Sequence, residues 1–194
     1  NDIPIQLSQS DIVYDGKANK IRVWVWDIAI NNSGNPVITY TRFPKETDHR
    51  YHYAYWKGDA WFDTEITKGG KWFPRTPMFK SERETYYSGG ITINHSDPSV
   101  VYISQQIGQM FEIYKWVTGD QGKSWSAKAI TSISKQINVR PVVPRGYNGK
   151  DDHVLWMMGD YVHWTNYDTG IWLLASGNNS DQQNTPADAE EPHR

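Results

Sequence analysis

Hydrophobic and polar positions alternate in short runs along most of the chain, and clusters of Asn, Asp, Gly and Pro separate these runs. A period of two residues indicates half-buried β-strands, because successive side chains of a strand point to opposite faces. Residues 105–116 are long enough for a helix but alternate as a strand does. The first group of predicted strands covers residues 21–30, 37–43, 51–56 and 61–67. The pattern therefore predicts an all-β protein.

The predicted group of four strands recurs along the chain. Several positions reappear 63 residues later, among them Ile28 with Ile91, Ile30 with Ile93 and Val37 with Val100. Further on, Trp56 matches Trp116 at an offset of 60 and Trp61 matches Trp125 at 64, because the second copy has a longer third turn. A looser third copy contains apolar runs at 142–143, 154–157, 161–164 and 171–174, with a last turn predicted at 168–170.

Three units of about four strands each have the composition of β-propeller blades. The repeats are expected at residues 21–70, 84–133 and 137–175, within a propeller segment that covers 1–175. A β-sandwich with similar hairpins is the alternative. Propellers carry roughly four to eight blades, so we expect about three four-stranded blades of a larger propeller. Its ring would be closed by the remaining blades or by another copy of the chain, and residues 176–194 are expected to be a disordered polar tail.

Composition narrows the range of partners. A formal net charge of −2 gives no field that would collect nucleic acid, and no apolar run approaches the roughly 18 residues of a membrane span. The chain has no Cys, which excludes disulfides, zinc–thiolate sites and thiol catalysis. Ten Trp and twelve Tyr supply flat faces for stacking on sugar rings. A polysaccharide or oligosaccharide is therefore the expected partner, with no cofactor.

Candidate chemistry lies where the first strand of each repeat is predicted, because these strands line the central channel of a propeller. They bring Trp24, Trp26 and Asp27 in the first repeat, Tyr87 in the second and Arg140 in the third. Arg140 stands between Val139 and Pro141, where a guanidinium needs an anion or a carbonyl partner.

Residues 48–53, Asp-His-Arg-Tyr-His-Tyr, form the densest polar segment of the chain. On a strand, His49 and His52 point to opposite faces, which argues against a shared metal ion, and no metal site is predicted. Histidine beside Tyr and Arg is a workable acid–base set. His95, in the turn at 94–98, is interpreted as a turn residue.

Residues 118–125 read Thr-Gly-Asp-Gln-Gly-Lys-Ser-Trp and predict a hairpin turn in which Asp caps backbone N–H groups, Gly supplies a positive φ and Trp packs under the turn. The segment resembles the Asp-box of the bacterial neuraminidase repeat (BNR) family, in which the box is a structural turn on the outer part of a propeller blade. The five matching positions are Thr118, Asp120, Gly122, Ser124 and Trp125.

Residues 87–102 and 138–146 are similar to secreted propeller proteins with neuraminidase-type repeats, among them sialidases, rhamnosidase-type hydrolases and ulvan lyases. The resemblance implies carbohydrate chemistry and a secreted or periplasmic protein. The arginines that could stand for the sialidase triad are Arg42, Arg140 and Arg145. Ulvan-lyase-like propellers use His and Tyr for proton transfer and Arg or His against the uronate.

The leading hypothesis is a polysaccharide lyase that acts on an acidic polysaccharide. Its catalytic residues would be His49, His52, Tyr87 and Arg140, and its substrate-binding residues Trp24, Trp26, Asp27, Arg42 and Arg145. A sialidase-like or rhamnosidase-like glycoside hydrolase is the first alternative, and it would need two carboxylates, Asp27 with Glu82 or Glu84. A non-catalytic glycan-binding propeller fragment is the second.

Overall fold

The protein is described by a computed structural model over residues 6–71, 78–79, 89–147, 152–163 and 165–175. Three antiparallel β-sheets account for most of this part of the chain, and a short 3-10 helix at Leu7–Gln9 precedes them. The strands are β1 (Arg22–Ile30), β2 (Pro36–Lys45), β3 (Asp48–Trp56), β4 (Trp61–Gly70), β5 (Ile91–Ile93), β6 (Val100–Ile107), β7 (Met110–Val117), β8 (Ser126–Ala129), β9 (Ile137–Val142), β10 (His153–His163) and β11 (Asn166–Ala175).

Each sheet is a meander, in which neighbouring strands follow one another along the chain. The first sheet has the order β1-β2-β3-β4, the second β5-β6-β7-β8 and the third β9-β10-β11. The four strands predicted for the first repeat are confirmed, and the 105–116 segment forms β6 and β7 around a turn at Gly108 with φ 62°. All-β architecture is thus confirmed, and the arrangement is consistent with successive propeller blades.

The sheets pack on one another in chain order, and their first strands β1, β5 and β9 lie side by side. Between the first and second sheets, Tyr51 and Tyr53 of β3 are buried against Ile91, Ile93 and Val101. A second core, between the second and third sheets, contains Tyr102, Ile113, Val143, Val154 and Trp156. Burial of these apolar faces is what holds the sheets together.

The Asp-box forms the predicted turn between β7 and β8. Asp120 Oδ1 accepts a hydrogen bond from Ser124 N at 2.8 Å, and Thr118 Oγ1 accepts one from Gly122 N at 2.7 Å. Trp125 donates from Nε1 to the carbonyl of Gly122 at 3.0 Å, which places its ring under the turn as expected. The same ring meets Tyr53 of the first sheet edge-on at 5.2 Å. The box therefore also joins two sheets.

The third sheet differs from the prediction. The runs at 154–157 and 161–164 were expected to be two strands, but residues 154–157 and 161–163 belong to the single strand β10, so this sheet has three strands in the described residues. Gly159 lets β10 pass close to the backbone of Asp168, where a Cβ would overlap. The turn predicted at 168–170 is also wrong, because these residues pair with β10 inside β11. Residues 176–194, the predicted tail, lie outside the described residues.

Candidate functional site

The first strands of the three sheets line one cavity of about 340 Å³, called here the inner cavity. β1 contributes Trp26 and Asp27, β5 contributes Ile91 and Thr92, and β9 contributes Arg140. His95 and Arg145 come from the segments that follow β5 and β9. Residues far apart in the sequence therefore meet at one place, as expected if first strands surround a channel.

Local irregularities of these strands aim the side chains. The register of β1 against β2 shifts between Val25 and Asp27, so Trp26 sits in a β-bulge. β9 is bulged against β10 between Val139 and Val142, and Arg140 in this bulge has a left-handed φ of 57°. Bulges redirect side chains and recur beside active sites, and a non-glycine residue in this region costs roughly 1 kcal/mol or more. Two of the three first strands are thus distorted where they line the inner cavity.

Gly90 is favoured by its backbone conformation. Its φ is 89°, in the left-handed region, whereas a Cβ there would make only ordinary contacts, 3.6 Å from the Trp26 ring and 3.7 Å from Arg140 Cα. The Gly90 N–H donates to the hydroxyl of Tyr51 at 2.7 Å, and the Arg140 N–H donates to the carbonyl of Gly89 at 2.8 Å. These bonds tie the wall of the inner cavity to the core between the first and second sheets.

Asp27 is the central carboxylate of the inner cavity, and its side chain is only 11% exposed. Oδ2 accepts hydrogen bonds from Thr92 Oγ1 and from Ile93 N, both at 3.0 Å, and Oδ1 accepts one from Ile28 N at 2.9 Å. The Nε2 atom of His95 lies 3.2 Å from both carboxylate oxygens. Asp27 therefore holds the first two sheets together and at the same time orients an imidazole.

Two guanidinium groups give the inner cavity its positive charge. Arg140 donates from one terminal nitrogen to the hydroxyl of Tyr161 at 2.9 Å, and its guanidinium lies 5.1 Å from the centre of that ring. Arg145 is 79% exposed, and its guanidinium approaches Asp27 Oδ1 at 4.0 Å. Among the described residues that line the inner cavity, two arginines accompany one carboxylate, Asp27, and guanidinium groups suit an anionic ligand.

Trp26 supplies an apolar wall to the same cavity. Its Nε1 donates to Thr41 Oγ1 at 2.7 Å, which fixes the indole ring against β2. An anchored aromatic face beside cationic donors is an arrangement that can hold a sugar ring and its carboxylate together.

The other predicted residues lie elsewhere. Arg42 and His52 project from one face of the first sheet, where both contact Asp63: Arg42 donates to it, and His52 Nδ1 lies 3.2 Å from it. Tyr40 also donates to Asp63, at 2.6 Å, and the Arg42 guanidinium stacks 3.6 Å from the centre of the Tyr14 ring. This cluster is called the Asp63 network.

The members of the Asp63 network are electrostatically coupled. Burial alone would raise the pKa of Asp63, but hydrogen bonds with His52 and Tyr40 and the charge of Arg42 outweigh it and lower that pKa. Burial, followed by the bond to Asp63, raises the pKa of Tyr40. Carboxylate and phenol are thereby held in opposite protonation states, as in a structural polar cluster.

His49 lies on the opposite face of β3 from His52, as predicted, and is 1% exposed. Its ring packs edge-on against Phe43 at 5.9 Å and lies 5.7 Å from Tyr51. Trp24 is 47% exposed on β1 and does not line the inner cavity. Tyr87, Glu82 and Glu84 lie outside the described residues.

The described residues contain no group of three or more His, Cys, Asp and Glu side chains placed to hold a metal ion. In the same part of the chain, no helix has the length and apolar character needed to cross a membrane.

Sequence reasoning missed His95 and Tyr161 as members of the site. His95 was interpreted as a turn residue, and it meets Asp27 across 68 positions of sequence. Tyr161 fell in an apolar run that predicted a separate strand. The repeat offset relates equivalent positions of different repeats. The contact of His95 with Asp27 joins two sheets, and that of Tyr161 with Arg140 joins β10 to β9 within the third sheet, so the offset identified neither.

Comparison with known families concerns the first sheet. A family model described as BNR repeat-containing family member matches residues 2–69. The expected BNR resemblance is confirmed over this segment, which contains β1 to β4, while the Asp-box at 118–125 lies beyond it.

The family description names a repeat and no reaction. No curated protein and no solved structure matches the chain. A BNR repeat suggests a carbohydrate-active protein of the propeller type.

Proposed function

We propose that the chain binds an acidic polysaccharide in the inner cavity and acts on it as a polysaccharide lyase. The observation that carries the proposal is the meeting of Arg140, Arg145 and Trp26 in a cavity built by the first strands of all three sheets. Planar guanidinium groups match a carboxylate, and the indole face suits a sugar ring. The proposal includes a secreted or periplasmic protein, because such polymers are met outside the cytoplasm.

Lyase chemistry on a uronate needs positive charge at the carboxylate and a group that removes the proton from the neighbouring carbon. Arg140 meets the first need from a fixed position beside Tyr161, whereas the exposed Arg145 can move to meet an incoming polymer. The role of Tyr87 in proton transfer stays a prediction from the sequence, and we assign no step to it. His49 and His52 are 1% and 4% exposed within the first sheet, so we assign them no contact with substrate.

The test is a screen of the chain against uronate-containing polysaccharides, with ultraviolet absorbance of the unsaturated uronate and reducing ends followed in parallel. A rise in both signals is expected. Arg140→Gln and Arg145→Gln should each weaken binding of a uronate oligosaccharide, measured by calorimetry, by roughly tenfold or more. Arg22→Gln is the matched control, because Arg22 is an exposed arginine that does not line the inner cavity.

Other results of the screen would favour another function. Reducing ends without the ultraviolet signal would favour a glycoside hydrolase, and binding without either signal would favour a glycan-binding module. If neither Arg140→Gln nor Arg145→Gln changes the affinity for the uronate oligosaccharide, its carboxylate does not bind at these two arginines, which would contradict the proposal.

We also propose that further sheets complete a ring, supplied by remaining propeller blades or by another copy of the chain. Ile91 and Ile93 are 3% and 0% exposed against the first sheet, whereas their repeat counterparts Ile28 and Ile30 are 53% and 57% exposed. At the other end, alternation along β11 puts Ile171, 69% exposed, on the face opposite to Trp172, which packs on the second core. Both outer faces therefore resemble faces that are buried inside.

Sedimentation equilibrium distinguishes the two sources of these sheets. Association of the chain, lost in Ile28→Lys but retained in the control Ile12→Lys, would support a second copy. If the chain stays monomeric at high concentration, the remaining propeller blades, and not a second copy of this chain, are the favoured source of the further sheets. Ile12 is a fair control because it is 69% exposed outside the sheets.

A further inference from the structure

We propose that His95 is the acid–base residue of the inner cavity and that Asp27 is the positioning residue that orients it. This inference rests on the proposed function and deepens it. It assigns the proton transfer to a histidine that the sequence pattern places in an ordinary turn, and it gives Asp27 a role other than direct contact with substrate.

The geometry of the pair fixes the imidazole. An ionised carboxylate only accepts hydrogen bonds, and His95 Nε2 lies 3.2 Å from both oxygens of Asp27. In the neutral ring, Nε2 must therefore carry the hydrogen, which leaves the lone pair on Nδ1. A carboxylate that sets the tautomer of a histidine in this way is a recurring device of acid–base catalysis.

Asp27 is itself rigidly held, so it can position a partner. Thr92 Oγ1 and the backbone N–H groups of Ile28 and Ile93 donate to its two oxygens at 2.9 to 3.0 Å. Two of these donors come from the second sheet, on the same segment that leads into His95. The orientation of the imidazole is thus tied to the packing of the first two sheets.

Exposure distinguishes His95 from His49 and His52, the two histidines of β3. The His95 side chain is 20% exposed and lines the inner cavity, whereas the His52 side chain is 6% exposed inside the Asp63 network. His49 is 1% exposed in the first sheet. A polymer can reach His95 but has no access to the other two.

The chemical step balances with these groups. Nδ1 of His95 takes the proton from the ring carbon that bears the uronate carboxylate, and the electrons of that C–H bond form a double bond to the adjacent ring carbon. The bond from this adjacent carbon to the glycosidic oxygen breaks, and the imidazolium returns its proton to the leaving oxygen. Arg140 and Arg145 stabilise the negative charge that builds up on the carboxylate. The products are an unsaturated uronate and a new reducing end.

The test compares His95→Gln with Asn32→Gln, since Asn32 occupies the position of His95 in the first repeat. In His95→Gln we expect kcat on the cleaved polysaccharide to fall by about 100-fold or more, with KM changed by less than about threefold. Asn32→Gln should leave both unchanged. Turnover of His95→Gln within about threefold of wild type would overturn the assignment while the lyase proposal stands.

A second measurement does not depend on turnover. Long-range ¹H–¹⁵N correlation spectra of the full chain show which ring nitrogen of His95 carries the hydrogen, and we expect Nε2. Asp27→Asn should abolish this preference, and where it still folds it should shift the pH profile of kcat. A hydrogen on Nδ1 in wild type would overturn the orientation of His95 by Asp27. An Nε2 hydrogen together with no binding or cleavage of any acidic polysaccharide would overturn the proposed function, and with it the acid–base role, while the Asp27–His95 pair would stand.

Discussion

Replacing Tyr51 with Phe tests how the inner cavity is tied to the protein core. Tyr51 is 0% exposed, and its hydroxyl accepts the N–H of Gly90 at 2.7 Å. Gly90 lines the inner cavity, and the hydrogen bond from its N–H to Tyr51 is buried. Tyr51→Phe removes the acceptor without removing the ring, so a buried donor is left without its partner.

The magnitude follows from that unpaired donor. A buried polar group that loses its partner costs roughly 1 to 3 kcal/mol, and Phe fills nearly the same volume as Tyr, so no cavity cost is added. For a domain of this size, each kcal/mol lowers Tm by roughly 2 to 4 °C, which predicts a loss of about 2 to 12 °C. Because Gly90 lies against Arg140 and Trp26, affinity for an acidic saccharide should also decrease.

The assay is urea unfolding followed by tryptophan fluorescence, with calorimetry for Tm. Tyr55→Phe is the matched control, because Tyr55 is 5% exposed on the same face of β3 and no hydrogen bond joins its hydroxyl to another described residue. We expect the control to change the free energy of unfolding by less than about 0.5 kcal/mol. An equally small effect of Tyr51→Phe would refute the reasoning that this bond anchors the cavity wall.

Three further predictions concern the Asp-box and the second core. Gly122→Ala should lower the free energy of unfolding, measured in urea, more than Gly34→Ala does. Both glycines have a left-handed φ, of 85° and 78°, but a Cβ at Gly122 would lie 2.8 Å from a threonine hydroxyl, whereas a Cβ at Gly34 would meet no atom within 4 Å. Equal losses in the two variants would contradict this prediction. Hydrogen bonds from Ser124 lower the pKa of Asp120 to about 2, so the ionised Asp120 stabilises the fold fully above pH about 4 and loses this contribution as pH falls towards 2. The difference in free energy of unfolding between wild type and Asp120→Asn should therefore shrink between pH about 4 and about 2. A difference that stays constant over this range would contradict the prediction. Asn138→Ala should destabilise by roughly 2 to 4 kcal/mol by the same assay, because Asn138 is 0% exposed and accepts the indole N–H of Trp156 at 2.9 Å; a loss below about 1 kcal/mol would show that the bond is dispensable.

Local patterns were enough for the strands and the turn chemistry. The alternation in residues 21–67 predicted the first sheet, because each strand buries one face and its side chains alternate with a period of two. The Asp-box was predicted with Asp120 as the cap of backbone N–H groups, a positive φ at Gly122 and Trp125 under the turn, since these features depend on groups only a few residues apart. The hydrophobic pattern did not predict the third sheet correctly. Two strands were expected in the region of β10, but Gly159 allows one long strand there.

The site was only partly accessible from the sequence. The repeat alignment identified the strands that meet, and so it selected Trp26, Asp27 and Arg140 for the inner cavity. It could not select His95, because the contact with Asp27 depends on how one sheet is set against the next. Neither could it exclude His49 and His52, whose residue type suggests chemistry but whose burial was unknown.

The sequence by itself determined the all-β architecture, the repeat and the turn that closes the second sheet, because these follow from periodicity and from hydrogen bonds between near neighbours. Only the tertiary structure decided which polar side chains share a cavity. Packing of successive sheets brings Asp27, His95 and Arg145 together from three different repeats, and the bulges at Trp26 and Arg140 aim their side chains into the same space. Such contacts are set by the relative position of whole sheets, which no local pattern in the chain records.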